Sequence, residues 1–378
     1  MAMTAADVLI VGGGMAGYSI AAGIADHARV LLIEQEDQPG YHASGRSVAF
    51  WEETYGGPGV QPLTSASGPL LSRPDPAFAE HSFLLPRGAI HLGRRGEQSL
   101  VDRLLGDFAN SGVQFERLGA DALADALPGL RSDWAIGVAE PSCADIDAAA
   151  LLAAYRRVAR RKGLQERFAT RLGSARRVGG SWEVETSSGP ISCDLIVNAA
   201  GAWADDVAGR CGVAPVGISP LRRTVVQLRC PTAPAHVPLV IALDGSFYFK
   251  SEGSGRLWLS PHDETPDIAR DVAPEELDVA VAIDRFTQVV DWPVAAVEHK
   301  WAGLRSFAPD RMPVYGPDPE VTGFFWFAGQ GGFGIQTAPA AAQIGAARLI
   351  GAELPDAVRH IDVSVYAPDR FGARAMSR

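Results

Sequence analysis

Asp7-Val8-Leu9-Ile10-Val11-Gly12-Gly13-Gly14-Met15-Ala16-Gly17, followed one helix length later by Leu31-Leu32-Ile33-Glu34, is the stretch that decides the fold. Its order is a buried strand, a glycine turn, a helix and a second strand ending in an acid, the βαβ unit that holds a dinucleotide. Gly12 allows the tight turn, Gly14 lets a pyrophosphate approach the backbone, and Gly17 lets the helix pack close to the sheet. Met15 and Ala16 open that helix, whose positive end attracts phosphate, and are counted with the glycines as cofactor-binding. Glu34, with Gln35 beside it, places a carboxylate where both ribose hydroxyls can donate to it. A 2′-phosphate would be repelled there, so FAD or NAD is favoured over NADP. The competing reading is a glycine-rich turn in another α/β protein; strand, helix, second strand and acid in one register argue for the dinucleotide.

The 378 residues suffice for two or three domain-sized units, and 47% hydrophobic with 21% charged residues is the balance of a globular chain. A net charge of −10 argues against nucleic-acid and anionic-membrane partners. Val8 to Val11 is too short for a secretory segment, and no run approaches the roughly twenty apolar residues of a membrane helix. A cytoplasmic protein without membrane attachment is expected. Cys143, Cys193, Cys211 and Cys230 show no CxxC or metal-ligand spacing and read as free thiols. The histidines are scattered, and no metal is expected.

Further along, Asp147 to Arg161 reads as an amphipathic helix and Trp182 to Thr186 as a strand with one wet face. Asp194 to Gly201 is an apolar strand ending in small residues, a further parallel strand that delivers backbone to a ligand. Thr224 to Leu228, Phe247 to Lys250 and Arg256 to Ser260 read as an antiparallel sheet, followed by a helix from Pro274 to Val289. Gly323 to Phe327 is a buried strand, Gly329 to Gly334 a glycine loop, and Ile335 to Ile350 a small-residue helix. The chain thus opens and closes with strand, glycine loop and helix. The fold class that follows is α/β with α+β character: a Rossmann-like dinucleotide-binding domain assembled from discontinuous segments, plus a domain with a mixed, largely antiparallel sheet.

Four blocks now make the chain resemble the D-amino acid oxidase-like FAD-dependent oxidoreductases, most closely their D-arginine dehydrogenase and glycine oxidase branch. They are Gly12 to Gly17 with Glu34; Gly40-Tyr41-His42-Ala43-Ser44-Gly45-Arg46-Ser47; Asn198-Ala199-Ala200-Gly201-Ala202-Trp203; and Trp301 to Asp310 with the loop Gly329 to Gly334. The resemblance implies FAD as cofactor, with 1–80, 140–215 and 308–378 as the FAD-binding domain and 81–139 and 216–307 as the substrate domain. It implies that His42, Ala43, Ser44, Arg46 and Ser47 lie against the pyrophosphate and the isoalloxazine edge; a solvent-facing Arg46 is the plain alternative. Ala200, Gly201 and Trp203 join them. Gly329, Gly331, Gly332, Phe333, Gly334 and Ile335 lead into a helix whose N-terminus points at the flavin pyrimidine ring, where reduced flavin is anionic. Some relatives bind flavin through a cysteine where this chain has Gly303, so non-covalent FAD is expected.

For substrate, the resemblance implies that Arg305, Tyr248 and Arg222 hold a carboxylate, for which arginine is the natural fork. Arg305 also borders the cofactor, and Gly332 borders the substrate. Tyr248 faces the opposite way from Phe247 and Phe249 in its strand, or is an ordinary core tyrosine. Only one of Arg222 and Arg223 can face inward from a strand, and an exposed basic pair is the alternative. Two departures matter: Ala89 replaces the glutamate that pairs with a guanidinium in D-arginine-specific relatives, and Phe50 replaces a histidine. D-arginine is therefore disfavoured. Tyr55 is retained as a lid, and Glu52 and Glu53 read as solvent-facing loop acids.

The expected reaction is oxidation of the C–N bond of an amino acid, either a glycine-type or N-substituted glycine or a neutral D-amino acid. Hydride passes to flavin N5, and the imine is hydrolysed to a 2-oxo acid and an amine or ammonia. No protein acid or base is required, and His42 and His262 read as structural. Electrons pass to O2 or to another acceptor; Ser260 to Glu264 lacks the lysine with which certain relatives speed the oxygen reaction. An FAD-dependent 2-hydroxy acid dehydrogenase, which needs a base beside the substrate, is the alternative enzyme, and a flavin- or NAD-binding scaffold the non-catalytic one.

Overall fold

The computed structural model describes residues 3–372. The strand Val8–Val11 pairs in parallel with Val30–Ile33 on one side and Leu195–Asn198 on the other. Gln165–Arg167 extends this sheet at one edge, and Phe324–Ala328 followed by antiparallel Val314–Pro317 complete six strands at the other. Every residue of Val8–Val11 and Val30–Ile33 is buried, because both faces of the sheet are covered. Val8, Ile10, Val30 and Leu32 pack into one apolar cluster with the helices Met15–Ile24, Ala148–Arg161 and Ala338–Ile350. Leu9, Val11, Leu31 and Ile33 pack the other way, onto Trp182, Val184 and Ile191 of a four-stranded sheet. Strict alternation along each strand produces this split.

Gly12 has φ +113°, and a Cβ there would stand 2.4 Å from the Ala199 carbonyl oxygen. At Gly17 a Cβ would stand 1.9 Å from the Gly12 oxygen. Both positions admit only glycine, which fixes the turn and seats the helix against the sheet.

A second, ten-stranded sheet includes Ala296–Phe307, Ser219–Arg229, Arg256–Ser260, Tyr248–Gly253, Leu239–Ala242, Ala89–Arg94 and Trp134–Glu140, in that order. Its strands are antiparallel apart from the parallel pair Leu239–Ala242 and Ala89–Arg94, so it is mixed and largely antiparallel. Helix Glu276–Val289 buries Val279, Ala282, Phe286 and Val289 against Phe249, Leu257 and Leu259.

Two elements had no reading from the sequence, and one starts later than expected. Ala302 to Phe307 of the Trp301 block is the buried half of a twelve-residue strand, Ala296–Phe307. A helix, Gln61–Ser72, forms where the sequence carries Pro62, Gly68 and Pro69; Pro62 falls in its first turn, where no amide is lost. The last helix begins at Ala338 rather than Ile335, again with a proline, Pro339, in the first turn. Gln330–Gly331 pairs with Ser306 and Phe307, so the glycine loop ties the two main sheets together. Residues 1–2 and 373–378 of the expected cofactor segments lie outside the described residues. Among the described residues no helix is long and apolar enough to cross a membrane.

Candidate active site

A long cavity follows the carboxyl ends of the parallel strands, where an open α/β sheet offers backbone groups to a ligand. Gly12, Gly14, Met15 and Ala16 line it, and the Ser44 Oγ accepts from the Met15 amide at 2.9 Å. Glu34, on the same wall as Gln35, accepts from the amides of Gly13 at 2.6 Å and Glu36 at 2.9 Å. Two backbone donors thus hold its carboxylate in one orientation. His42 lies 2.8 Å from Glu36 Oε1 and packs on the Trp203 ring at 4.5 Å, and both rings border the cavity. Ala43, Ser47, Ala200 and Gly201 also border it. So do Gly331, Gly332, Gly334 and Ile335.

Other cofactor expectations are corrected. Gly17 keeps its expected role of close helix–sheet packing, against the Gly12 carbonyl, but does not reach the cavity, and a Cβ at Gly329 would meet Ile218 and Val314. Phe333 packs into an apolar cluster with Val60, Leu221 and Phe307. None of the three lines the cavity. Arg46 borders it, but its guanidinium pairs with Asp271 at 2.5 Å and donates to the Val272 and Ala302 carbonyls at 3.1 Å. Its charge therefore clamps two segments of the chain together instead of facing phosphate. Thr170 and Leu172 line the cavity without a sequence signal; they follow the short strand Gln165–Arg167, whose parallel pairing with Val30–Ile33 brings them there.

A smaller cavity shares Ser47, Arg305, Gly332 and Ile335 with the first and adds Phe50, Tyr55, Tyr248, Arg223 and Gln336. Arg305 is only 6% exposed, and Nη2 donates to the Arg46 carbonyl at 3.3 Å. Among the described residues no carboxylate lies within ion-pair distance of it. Burial and the neighbouring Arg223 charge hold its pKa below the usual arginine range, against the pull of Tyr248. A buried cation without a counter-ion is a costly arrangement that an incoming carboxylate relieves.

Arg223, not Arg222, is the second guanidinium here. Arg222 turns to the opposite face of its strand and pairs with Glu275 at 2.6 Å, Asp278 at 3.1 Å and Asp267 at 3.5 Å. Arg223 donates to the Asp263 carbonyl at 2.8 Å, pairs with Glu264 at 3.0 Å, and brings Nη1 to 3.4 Å from the Tyr55 hydroxyl. Tyr248 does oppose Phe247 and Phe249, and packs edge-on against Phe50 at 5.7 Å. Ala89 is corrected as well: it sits behind Phe50 and Tyr248 in a cluster with Val48, Cys143 and Leu239, and does not line the cavity.

Glu52 and Glu53 are not solvent-facing. Glu53 is half-buried, bonded to Ser65 at 2.5 Å and Ser142 at 3.0 Å. Glu52 is 1% exposed and lies 3.3 Å from His91 Nε2, which is equally close to Glu140 Oε2. No metal was expected from spacing, yet the ligand atoms of Glu52, His91 and Glu140 all lie within 4.8 Å of one another. The available signal was His91 itself, a polar residue inside the buried strand Ala89–Arg94, which must find a partner. Burial, strengthened by Glu140, pushes the Glu52 pKa up to about 7. His262 is pushed down to about 4 by burial and the Arg223 charge, so its ring is neutral, with Nδ1 donating to the Gly245 carbonyl at 2.5 Å. All four cysteines are free and buried.

The family model described as DAO, FAD dependent oxidoreductase, matches residues 7–348. Rat (Rattus norvegicus) mitochondrial dimethylglycine dehydrogenase is 25% identical over 97% of this chain and 45% of its own length. Glycine oxidase of Pseudomonas putida is 28% identical over 49% of this chain and 48% of its own. The chain thus spans about half the length of these relatives or less. The crystal structure of glycine oxidase from Geobacillus kaustophilus superposes with a TM-score of 0.84 at 22% identity, covering 99% of this chain and 100% of that one.

Proposed function

This chain belongs to the DAO family of FAD-dependent oxidoreductases, and from that premise we propose that it oxidises the C–N bond of a small amino acid. The substrate class is an N-substituted glycine or an apolar D-amino acid, converted to an imine that water hydrolyses to a 2-oxo acid and an amine or ammonia. What carries this reading is Arg305, buried at the boundary of the two cavities with no carboxylate partner among the described residues.

The long cavity fits FAD by the chemistry of its lining: a glycine turn whose Cβ positions are closed, a helix N-terminus for phosphate, and the oriented Glu34 carboxylate for ribose. Gly303 stands where some relatives carry the cysteine of a covalent link, and among the described residues no cysteine lines the cavity, which supports a non-covalent cofactor. FAD, when bound, supplies the hydride acceptor. The cofactor unit we propose comprises 1–80, 140–215 and 308–378, and the substrate unit 81–139 and 216–307.

The chain's own residues orient and exclude. Arg305, with Arg223 beside it, receives the substrate carboxylate as a fork, while Tyr55 and Tyr248 offer hydroxyls to it. Phe50, Val48 and Ile335 present apolar surface to the substituent and keep water from the reacting carbon. No acidic side chain lines this cavity among the described residues, which disfavours a guanidinium substrate such as D-arginine. No histidine lines it either, which disfavours 2-hydroxy acids, since their oxidation needs a base to take the hydroxyl proton.

The test is an anaerobic screen of the purified yellow protein against N-alkyl glycines, glycine, D- and L-amino acids and 2-hydroxy acids, with 2-oxo acid measured after each. Flavin bleaching and stoichiometric 2-oxo acid from N-alkyl glycines or apolar D-amino acids are expected. Bleaching by 2-hydroxy acids alone overturns the reading.

A further inference from the structure

Behind the wall that carries Phe50 and Tyr55 lies a buried polar set that the proposed reaction does not use: Glu52, Thr54, His91 and Glu140. These residues are 1%, 7%, 6% and 0% exposed. The Thr54 hydroxyl stands 2.7 Å from Glu140 Oε2, 2.9 Å from Glu52 Oε1 and 3.4 Å from His91 Nε2.

A threonine hydroxyl has one proton to give and can also accept. Two ionised carboxylates at those distances would leave one oxygen facing the hydroxyl with nothing between them. The donors show which carboxylate is ionised. Glu140 is met by three of them: the Glu53 amide at 2.7 Å, Thr54, and His91 at 3.3 Å. Glu52 Oε2, by contrast, has no hydrogen-bond partner among the described residues, a position that a buried carboxylate anion does not tolerate and a neutral carboxylic acid does.

We propose that Glu52 is the protonated member, donating to Thr54, which donates to an ionised Glu140, and that this directed chain positions Tyr55 against the substrate cavity. The anchoring is specific to that wall. Glu140 holds the amide of Glu53, and Glu52 accepts the Tyr55 amide at 3.3 Å through its carbonyl. The Glu52 amide donates to Gln336 Oε1 at 3.2 Å, and Gln336 Nε2 returns to the Tyr55 carbonyl at 3.1 Å. Tyr55 is thus fixed from both sides, as a wall and not as a mobile lid. Glu52, Thr54 and Glu140 are positioning residues; none lines the cavity.

The proposal rests on reading that cavity as the substrate site, and two readouts separate the two. Hydrogen exchange over residues 50–57 of the holoenzyme reports the wall directly. Perturbation of the flavin absorption band by acetate, a carboxylate that cannot be oxidised, reports the site. T54V is expected to raise exchange in this segment at least tenfold and to weaken acetate at least tenfold while still melting cooperatively with FAD bound. T54S, which restores the hydroxyl, and E52Q, which keeps a neutral donor, are expected to stay within threefold of the parent in both. E140Q is expected to follow T54V.

Exchange in T54V equal to the parent, or E52Q as damaging as T54V, overturns the proposal. A stoichiometric divalent metal in the purified protein that is lost in T54V overturns it too, because the same atoms would then be ligands. If acetate leaves the parent spectrum unchanged, the substrate-site reading fails by itself, and the exchange data still decide the wall.

Discussion

Arg222 and Arg223 are neighbours in one strand whose guanidinium groups end on opposite sides of the sheet, Arg222 among Asp267, Glu275 and Asp278, and Arg223 beside Glu264 and the Tyr55 hydroxyl. Their substitutions are expected to have separate effects. R223A is expected to raise KM for a carboxylate substrate at least tenfold, about 1.4 kcal/mol or more, since it removes half of a charged fork. R222A is expected to leave KM within twofold and to lower stability by about 1 to 3 kcal/mol, because it strips donors from three acids. Steady-state kinetics and thermal melts on the pair check both.

Gly332 lies so close to Tyr55 that a Cβ would come to 2.2 Å from the hydroxyl and 3.0 Å from the ring. Phe50 at 5.3 Å and Phe333 at 6.5 Å flank the tyrosine ring and limit its retreat. G332A is expected to fold and bind FAD yet raise KM at least fivefold. An unchanged KM would show that Tyr55 moves freely.

Gly12 is a different case, since its close neighbour at 2.4 Å is the Ala199 carbonyl, which cannot swing aside. G12A adds a left-handed alanine, costing about 1 to 2 kcal/mol, to that clash. The expected outcome is colourless or insoluble protein, read from the ratio of flavin to protein absorbance.

Protonation of the buried acid gives stability a pH slope. The Glu52 pKa rises from 4.5 to about 7 on folding, first by burial and then by Glu140, with His91 opposing; Cys143 is the further titratable group facing the pair. A raised pKa means that folded protein holds a proton which the unfolded chain releases above 4.5. The contribution is therefore full below that pH and lost as pH rises through 7, by up to about 3 kcal/mol. His91, also raised, loses stability in the same direction. His262, depressed to about 4, works oppositely, destabilising as pH falls from 6.5 toward 4. E52Q is expected to flatten the decline in Tm between pH 5 and 8; an identical slope in E52Q and the parent would contradict the assignment.

The cofactor half of the molecule was legible because its constraints are local. Gly12, Gly17 and Glu34 act within one βαβ unit, and each keeps the position that spacing implies. The substrate half depends on register. Which of two adjacent arginines faces inward turns on a one-residue phase in the strand Ser219–Arg229, and that phase is set by pairing with Ala296–Phe307, far along the chain. Arg46 and Glu52 misled for a related reason: their partners, Asp271 and the His91–Glu140 pair, come from elements that only tertiary packing brings near. The helix Gln61–Ser72 was hidden by two prolines: Pro62, which its first turn accommodates, and Pro69, which lies inside it.

The buried Arg305 is proposed to receive the carboxylate of the amine being oxidised. Anaerobic titration of flavin bleaching with the best substrate of the screen, in the parent and in R305A, tests it most directly. Loss of a buried charge partner predicts an apparent dissociation constant at least a hundredfold higher in R305A, about 3 kcal/mol. Bleaching with unchanged half-saturation in R305A would contradict the account.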